Sequence, residues 1–256
     1  MQVVILGLLL ISLQTAPPQP EVQHYALKDC GKKFLDLVKQ GPKYLPKNAV
    51  TLATEYPDAQ TTKLEIEGLL ALQTARTPQQ VKQIDLEAPD LLPVFLREFG
   101  TSPQKKPKTT KMLREALIDI DYFLFAEKLV LLRPRPHQVD ARIRPAIAVP
   151  KHPAFPSGHG GESAAIAALL TKLIPHENKR LNSYAQSVGH NREIAGVHYP
   201  SDTQEGVRIA QMAVKLLLEN PKFTALVDGA KIEWLHPWQG RIPRPTFDLA
   251  PPEPQL

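Results

Sequence analysis

An all-α fold, a single helical bundle around one buried helix, is what this sequence predicts, and three observations predict it. No alternating apolar–polar run of useful length occurs, so no half-buried strand is legible. Apolar residues instead recur at three- and four-residue spacings over several long segments. One stretch, Ser163 to Thr171, carries no charge at all, and a helix that is small and apolar all round belongs in a core. Pro156-Ser157-Gly158 ahead of it is a turn signal, so the central helix begins at the Pro156-Ser157-Gly158-His159 segment.

The elements follow in chain order. Val3 to Leu13 is apolar and no charge precedes Glu21. Those residues make up about half of the ~20 needed to span a bilayer. Residues 1–16 therefore read as a secretory signal cut near Ala16, with an apolar segment docked on the core as the alternative. Export to the periplasm or the exterior is the expectation, with no integral membrane segment. Residues 17–105 read as an N-terminal helical part, 106–220 as the functional core and 221–256 as a tail, with 17–220 forming one domain. Leu35, Leu37 and Val38 suggest a short helix stopped by Gly41-Pro42, and Thr62 to Thr74 has a helical apolar spread. Thr77-Pro78-Gln79-Gln80 is a capping box with proline at the first helical position, so a helix starts near Pro78 and runs toward Leu86. Leu91 to Phe99 is another, and Ser102 to Thr109 reads as a loop.

Thr110 to Leu132 carries a stripe of Leu113, Leu117, Ile120, Leu124 and Leu131. Lys128 lies within that stripe, where a lysine must pair or snorkel. Pro134 ends the helix. Arg135 leaves on an extended segment on the same side as Lys128, with Arg133 as the surface arginine of the two. His152 reads as a loop histidine in a proline-rich connection. Asn178 to about Gly196 is helical, with Leu181, Tyr184, Ala185, Val188 and Ile194 inward. Ser201 and Gln204 resemble a capping box opening a last long helix to Leu218, whose core face is Val207, Ala210, Val214 and Leu217. Beyond Pro221 the reading is a short segment anchored by Trp234 and Trp238, with a disordered proline-rich end.

Composition sets the bounds. A chain of 256 residues can bury one good-sized core. The net charge of +5 is too small and too scattered for a nucleic-acid partner. Cys30 is the only cysteine, so no intrachain disulfide forms.

The chemistry gathers at the mouth of the central helix. The first helical turn leaves N–H donors open, its dipole favours an anion, and the glycines allow close approach. His159 sits there. Asp202, in the first turn of the last long helix, is favoured by its dipole, and His198 is within reach of it. The bland alternative is that these are only satisfied core groups.

Three patterns occur in order: Lys128-x6-Arg135-Pro136, Pro156-Ser157-Gly158-His159, and Arg192-x5-His198-x3-Asp202. Together they resemble the type 2 phosphatidic acid phosphatase superfamily, which includes bacterial class A non-specific acid phosphatases and vanadium-dependent haloperoxidases. Asn191 departs from the family serine before the arginine. The resemblance implies that Lys128, Arg135 and Arg192 bind the non-bridging oxygens of a phosphoryl group, with Ser157 and Gly158 adding donors. His198 would be the nucleophile, Asp202 its orienting partner and His159 the acid and then the base. No metal or other cofactor is required, since three fixed cations neutralise the phosphoryl charge. The expected ligand is a small phosphorylated substrate or inorganic phosphate. The favoured activity is that of an acid phosphatase. The alternatives are a haloperoxidase holding vanadate, a lipid-phosphate or pyrophosphate phosphatase, and a non-catalytic oxyanion binder. Phe155, Tyr199 and the 137–151 loop are the expected cleft walls.

Overall fold

The computed structural model describes residues 24–235, and every regular element among them is a helix. In chain order these are α1 (Lys32–Gln40), α2 (Ala59–Ala75), α3 (Pro78–Glu87), α4 (Leu91–Glu98), α5 (Pro107–Leu131), α6 (Pro136–Val139), α7 (Gly158–Leu173), α8 (Asn178–Ile194), α9 (Pro200–Glu219) and α10 (Pro221–Lys231). The signal-like segment, Trp238 and the proline-rich end lie outside the described residues.

Helix starts and stops are chemical. Asp58 caps α2 by accepting from the Thr61 N–H at 2.8 Å. Thr77 and Gln80 close the capping box of α3, and Pro78 takes the first turn. Gly41, at φ +78°, ends α1 in a conformation that suits glycine.

Helix α7 is the hub, packed by α8, α9 and α5. Its small residues let neighbours come close. A Cβ on Gly206 of α9 would lie 2.3 Å from the Ser157 carbonyl oxygen, and one on Gly161 would lie 2.8 Å from the Gly206 carbonyl. Leu113, Ile120, Phe123 and Leu124 of α5 close the core from the other side, joined by Leu181 and Val188 of α8 and Ile209, Ala213 and Leu217 of α9.

Four expectations need correction. Helix α5 starts at Pro107, within the expected 102–109 loop, because proline at the first turn lacks only a donor that has no helical partner there. The connection after Arg135 contains the short α6. Helix α9 opens two residues earlier than a Ser201–Gln204 box requires: Tyr199 is the cap, and the Asp202 carboxylate accepts from its N–H at 3.0 Å. Past Pro221 the chain forms α10, which buries Phe223, Val227 and Ala230, and its end is pinned by Trp234 Nε1 donating to Thr109 Oγ1 at 2.9 Å.

Candidate active site

The residues of the three patterns come from the ends of α5, α7, α8 and α9 and meet at one end of the bundle. A cavity of about 200 Å³ opens there, lined by Gly158, His159, Arg192 and His198 together with Phe125, His152 and Glu162. Ala88, Ile147, Ala148, Pro150 and Val197 complete its wall. Lys128, Arg135, Ser157 and Asp202 stand behind that wall, all buried.

His198 is held at both ring nitrogens. Nδ1 lies 3.0 Å from Asp202 Oδ2, and Nε2 lies 2.9 Å from Arg135 Nη1. Arginine has only donors, so Nε2 is the acceptor and Nδ1 carries the proton given to Asp202. Burial, and then the charges of Arg135 and Lys128, hold the His198 pKa well below the ordinary imidazole value. The ring is therefore neutral, with its lone pair on the side facing the cations.

Asp202 joins the elements. Its Oδ2 accepts from His198 and from the Tyr199 N–H, and its Oδ1 accepts from Arg133 Nη1 at 2.6 Å. Its carbonyl accepts from the Ser157 N–H at 2.8 Å, tying the turn before α7 to the start of α9. Ser157 Oγ caps α7 by accepting from the Gly160 N–H at 3.2 Å. The N-terminus of α7 thus faces the cavity at Gly158, with its dipole directed for an anion.

The cations are fixed unequally. Lys128 donates to the carbonyls of Pro153 at 3.0 Å, Ala154 at 2.8 Å and Pro156, so it clamps the turn that carries the chain into α7. Burial and neighbouring Arg135 push its pKa well down. Arg135 donates to the His152 carbonyl at 3.0 Å, the Val197 carbonyl at 2.6 Å and His152 Nδ1 at 3.0 Å. Burial lowers its pKa to about 10. Arg192 bonds the Glu87 carboxylate at 3.1 Å and the Ile84 carbonyl at 3.3 Å, while its Nε is buried with no acceptor.

His159 lies on the cavity wall with Nε2 bonded to the Glu87 carbonyl at 3.1 Å, which leaves Nδ1 for a ligand. Burial lowers its pKa.

Several positions differ from expectation. Arg133 is no surface residue: it is 1% exposed, stacks 3.7 Å from the Tyr199 ring centre, and bonds Ser201, Asp202, Thr62 and Glu65. Two carboxylates attract it inward, and Asp202 and Glu65 outweigh burial in raising its pKa. His152 is no simple loop histidine. It stacks on Phe34 of α1 with ring centres 5.3 Å apart, and burial followed by Lys128 and Arg135 depresses its pKa strongly. Tyr199 is buried beneath Arg133, and Phe155 lines a different cavity, so neither walls the site; Ile147, Ala148 and Pro150 of the 137–151 loop do. Glu87 had no sequence signal. It is fully buried and accepts from Gln83, Arg192 and Asn191, the last at 3.0 Å, which explains the asparagine at position 191. Glu162 did have a signal, as the last charge before the uncharged run.

Residues 114–222 match the PAP2 superfamily, and that span holds all three patterns but not Glu87. The non-specific acid phosphatase of Providencia stuartii is 28% identical over 174 residues, covering 65% of this chain and 70% of that enzyme. The non-specific acid phosphatase of Salmonella typhimurium is 24% identical over 155 residues, and that of Salmonella typhi 25%. The chain spans 62% of the length of each Salmonella enzyme. A crystal structure of a bacterial vanadium-dependent iodoperoxidase aligns with a TM-score of 0.48 at 17% identity, covering 78% of this chain and 54% of that one.

Proposed function

From the match of residues 114–222 to the PAP2 superfamily, we propose that this chain is a phosphomonoester hydrolase of the acid phosphatase kind, working through a phosphohistidine. The observation that carries the reading is His198: a neutral imidazole whose Nδ1–H is fixed on Asp202 and whose Nε2 faces a cationic wall. The phosphoryl group enters between α7's N-terminus and Arg192, whose buried Nε has no other acceptor. Lys128 and Arg135 supply positive potential from behind the wall, and either can exchange a carbonyl for a phosphoryl oxygen.

His198 Nε2 attacks phosphorus, and the bond from phosphorus to the ester oxygen breaks. His159, protonated at Nδ1 in acidic solution while its Nε2–H stays on the Glu87 carbonyl, gives the Nδ1 proton to the departing alcohol. Asp202 stabilises the imidazolium charge as the phosphorus–nitrogen bond forms. Water then attacks phosphorus, His159 takes its proton, and His198 leaves neutral.

The test is hydrolysis of 4-nitrophenyl phosphate by the purified chain in acidic buffer with a chelator present. Turnover is expected, together with a phosphate label on the protein that is lost in acid and kept in alkali. His198→Ala should cut the rate by about a thousandfold or more and abolish the label. A His198→Ala protein with full activity would overturn the mechanism, and an inactive wild type would leave an oxyanion-binding protein.

One observation favours a second reading. His152 lines the cavity and shares Arg135 with His198. Vanadate and phosphate have the same tetrahedral charge, so the same donors fit either anion. Oxidation of halide by peroxide with added vanadate, without phosphoester turnover, would select that reading.

A further inference from the structure

The cavity's cations account for one half of a substrate; its single carboxylate, Glu162, is used by nothing in the mechanism above. Glu162 lies three residues after His159 on α7, so both face the same side of the helix, with Cβ atoms roughly 5–6 Å apart. Gly158 puts no side chain beside Glu162. A Cβ there would stand 3.5 Å from Glu162 Oε1 and 3.7 Å from the Phe125 ring. A carboxylate and an aromatic ring therefore converge about one helical turn from the group that would protonate the leaving oxygen.

Behind Glu162 stands Asp121 of α5. Its carboxyl is hydrogen-bonded to Glu162, and burial together with the charge of Glu162 holds its pKa well above the usual carboxylate range. Two adjoining carboxyls at a buried site do not both ionise. Asp121 therefore favours its neutral form, and Glu162 Oε1 lies beside Gly158 in the cavity lining. Ala88, Ile147 and Val197 add apolar side chains to the lining.

Three kinds of leaving group meet this wall differently. A second anion is repelled by Glu162. A plain alkyl chain strips water from the carboxylate and returns no bond. An ammonium pairs with the carboxylate and lies near the Phe125 ring.

We propose that Glu162 is a specificity-determining residue and that the preferred substrates are phosphomonoesters of short amino alcohols, the phosphoryl group in the cation cage and the ammonium on Glu162. The proposal rests on the phosphatase reading and deepens it. An ammonium two or three carbons from the ester oxygen spans the gap between His159 and Glu162.

Non-hydrolysable phosphonates separate the two claims. Titration calorimetry of the full chain would compare 3-aminopropylphosphonate with butylphosphonate, which matches it in length without the charge. The amino compound should bind about tenfold more tightly to the wild type, and the ratio should fall to near one in Glu162→Gln. Glu162→Asp, which keeps the charge, should retain part of the preference. Equal affinities in the wild type, or a preference that survives Glu162→Gln, would overturn the proposal. Failure to hydrolyse 4-nitrophenyl phosphate would overturn the phosphatase reading alone, since the binding ratio is read without turnover.

Discussion

Arg133 and Arg135 stand two residues apart in one Arg-Pro-Arg-Pro run and take opposite sides of the same aspartate–histidine pair. Arg135 meets the His198 ring, while Arg133 meets Asp202 Oδ1 and carries Glu65 and Ser201 with it. Removing a buried cation from two buried or half-buried carboxylates leaves uncompensated charge, and Arg133→Ala is expected to cost about 3–5 kcal/mol in urea unfolding. Arg133→Lys keeps the charge but not the fork. It should lower kcat roughly tenfold or more while KM moves little, because Arg133 touches Asp202 and not the cavity; a rise in KM alone would contradict this. At this scale the motif residues were legible and their supports were not. The family resemblance picks out Lys128, Arg135, His159, Arg192, His198 and Asp202, and the structure gathers them at one end of the bundle. Nothing local marks Glu87 or Glu65, whose arginine partners lie more than sixty positions away in the chain. Arg133 misleads because its environment is set by α2 and α9, neither of which is adjacent to it in sequence.

Between elements, the tightest crossing is that of α7 and α9, where glycines replace side chains. Gly206→Ala would drive a methyl into the Ser157 carbonyl, 2.3 Å away, and approach the Gly161 nitrogen at 3.1 Å. Overpacking of this kind costs about 1–3 kcal/mol or more, and here it also displaces the turn that starts α7. A lower unfolding midpoint and a lower kcat are expected together. Gly229→Ala on α10 is the contrast: nothing lies within 4 Å of the added Cβ, so a gain of about 0.5–1 kcal/mol is expected from helix propensity. Thermal unfolding of both variants decides the point. Helices were legible where apolar periodicity ran long, as in α2, α5 and α8, or where a capping box marked the start, as in α3. The start of α9 was misplaced because its cap comes from Asp202, a residue already committed to His198. Helix α10 was missed because only three of its residues are buried, too few to mark a stripe in the sequence.

Across the whole molecule, one buried carboxyl sets a dependence of stability on pH. Glu127 is fully buried, accepts from the Ala53 N–H, and is pushed from 4.5 up to about 7 by burial and the charge of Glu205. Between those values the folded protein holds a proton that the unfolded chain has lost, so stability falls as pH rises through that window. Below pH 4.5 both states are protonated and the contribution is level. At about 1.4 kcal/mol per pH unit the full loss is roughly 3 kcal/mol. Glu127→Gln should match the wild type near the acid end and exceed it by about that amount above neutrality, in urea titrations at a series of pH values; a gap constant with pH would refute this. The Ser157 to Asp202 main-chain bond has a wider meaning for how such a molecule can change. It welds the anion-holding turn and the carboxylate behind the imidazole into one rigid unit with no side chain between them. Descendants of this chain are therefore free to exchange the cleft rim, at Ala88, Ile147 or Glu162, while the unit beneath is inherited whole or lost whole.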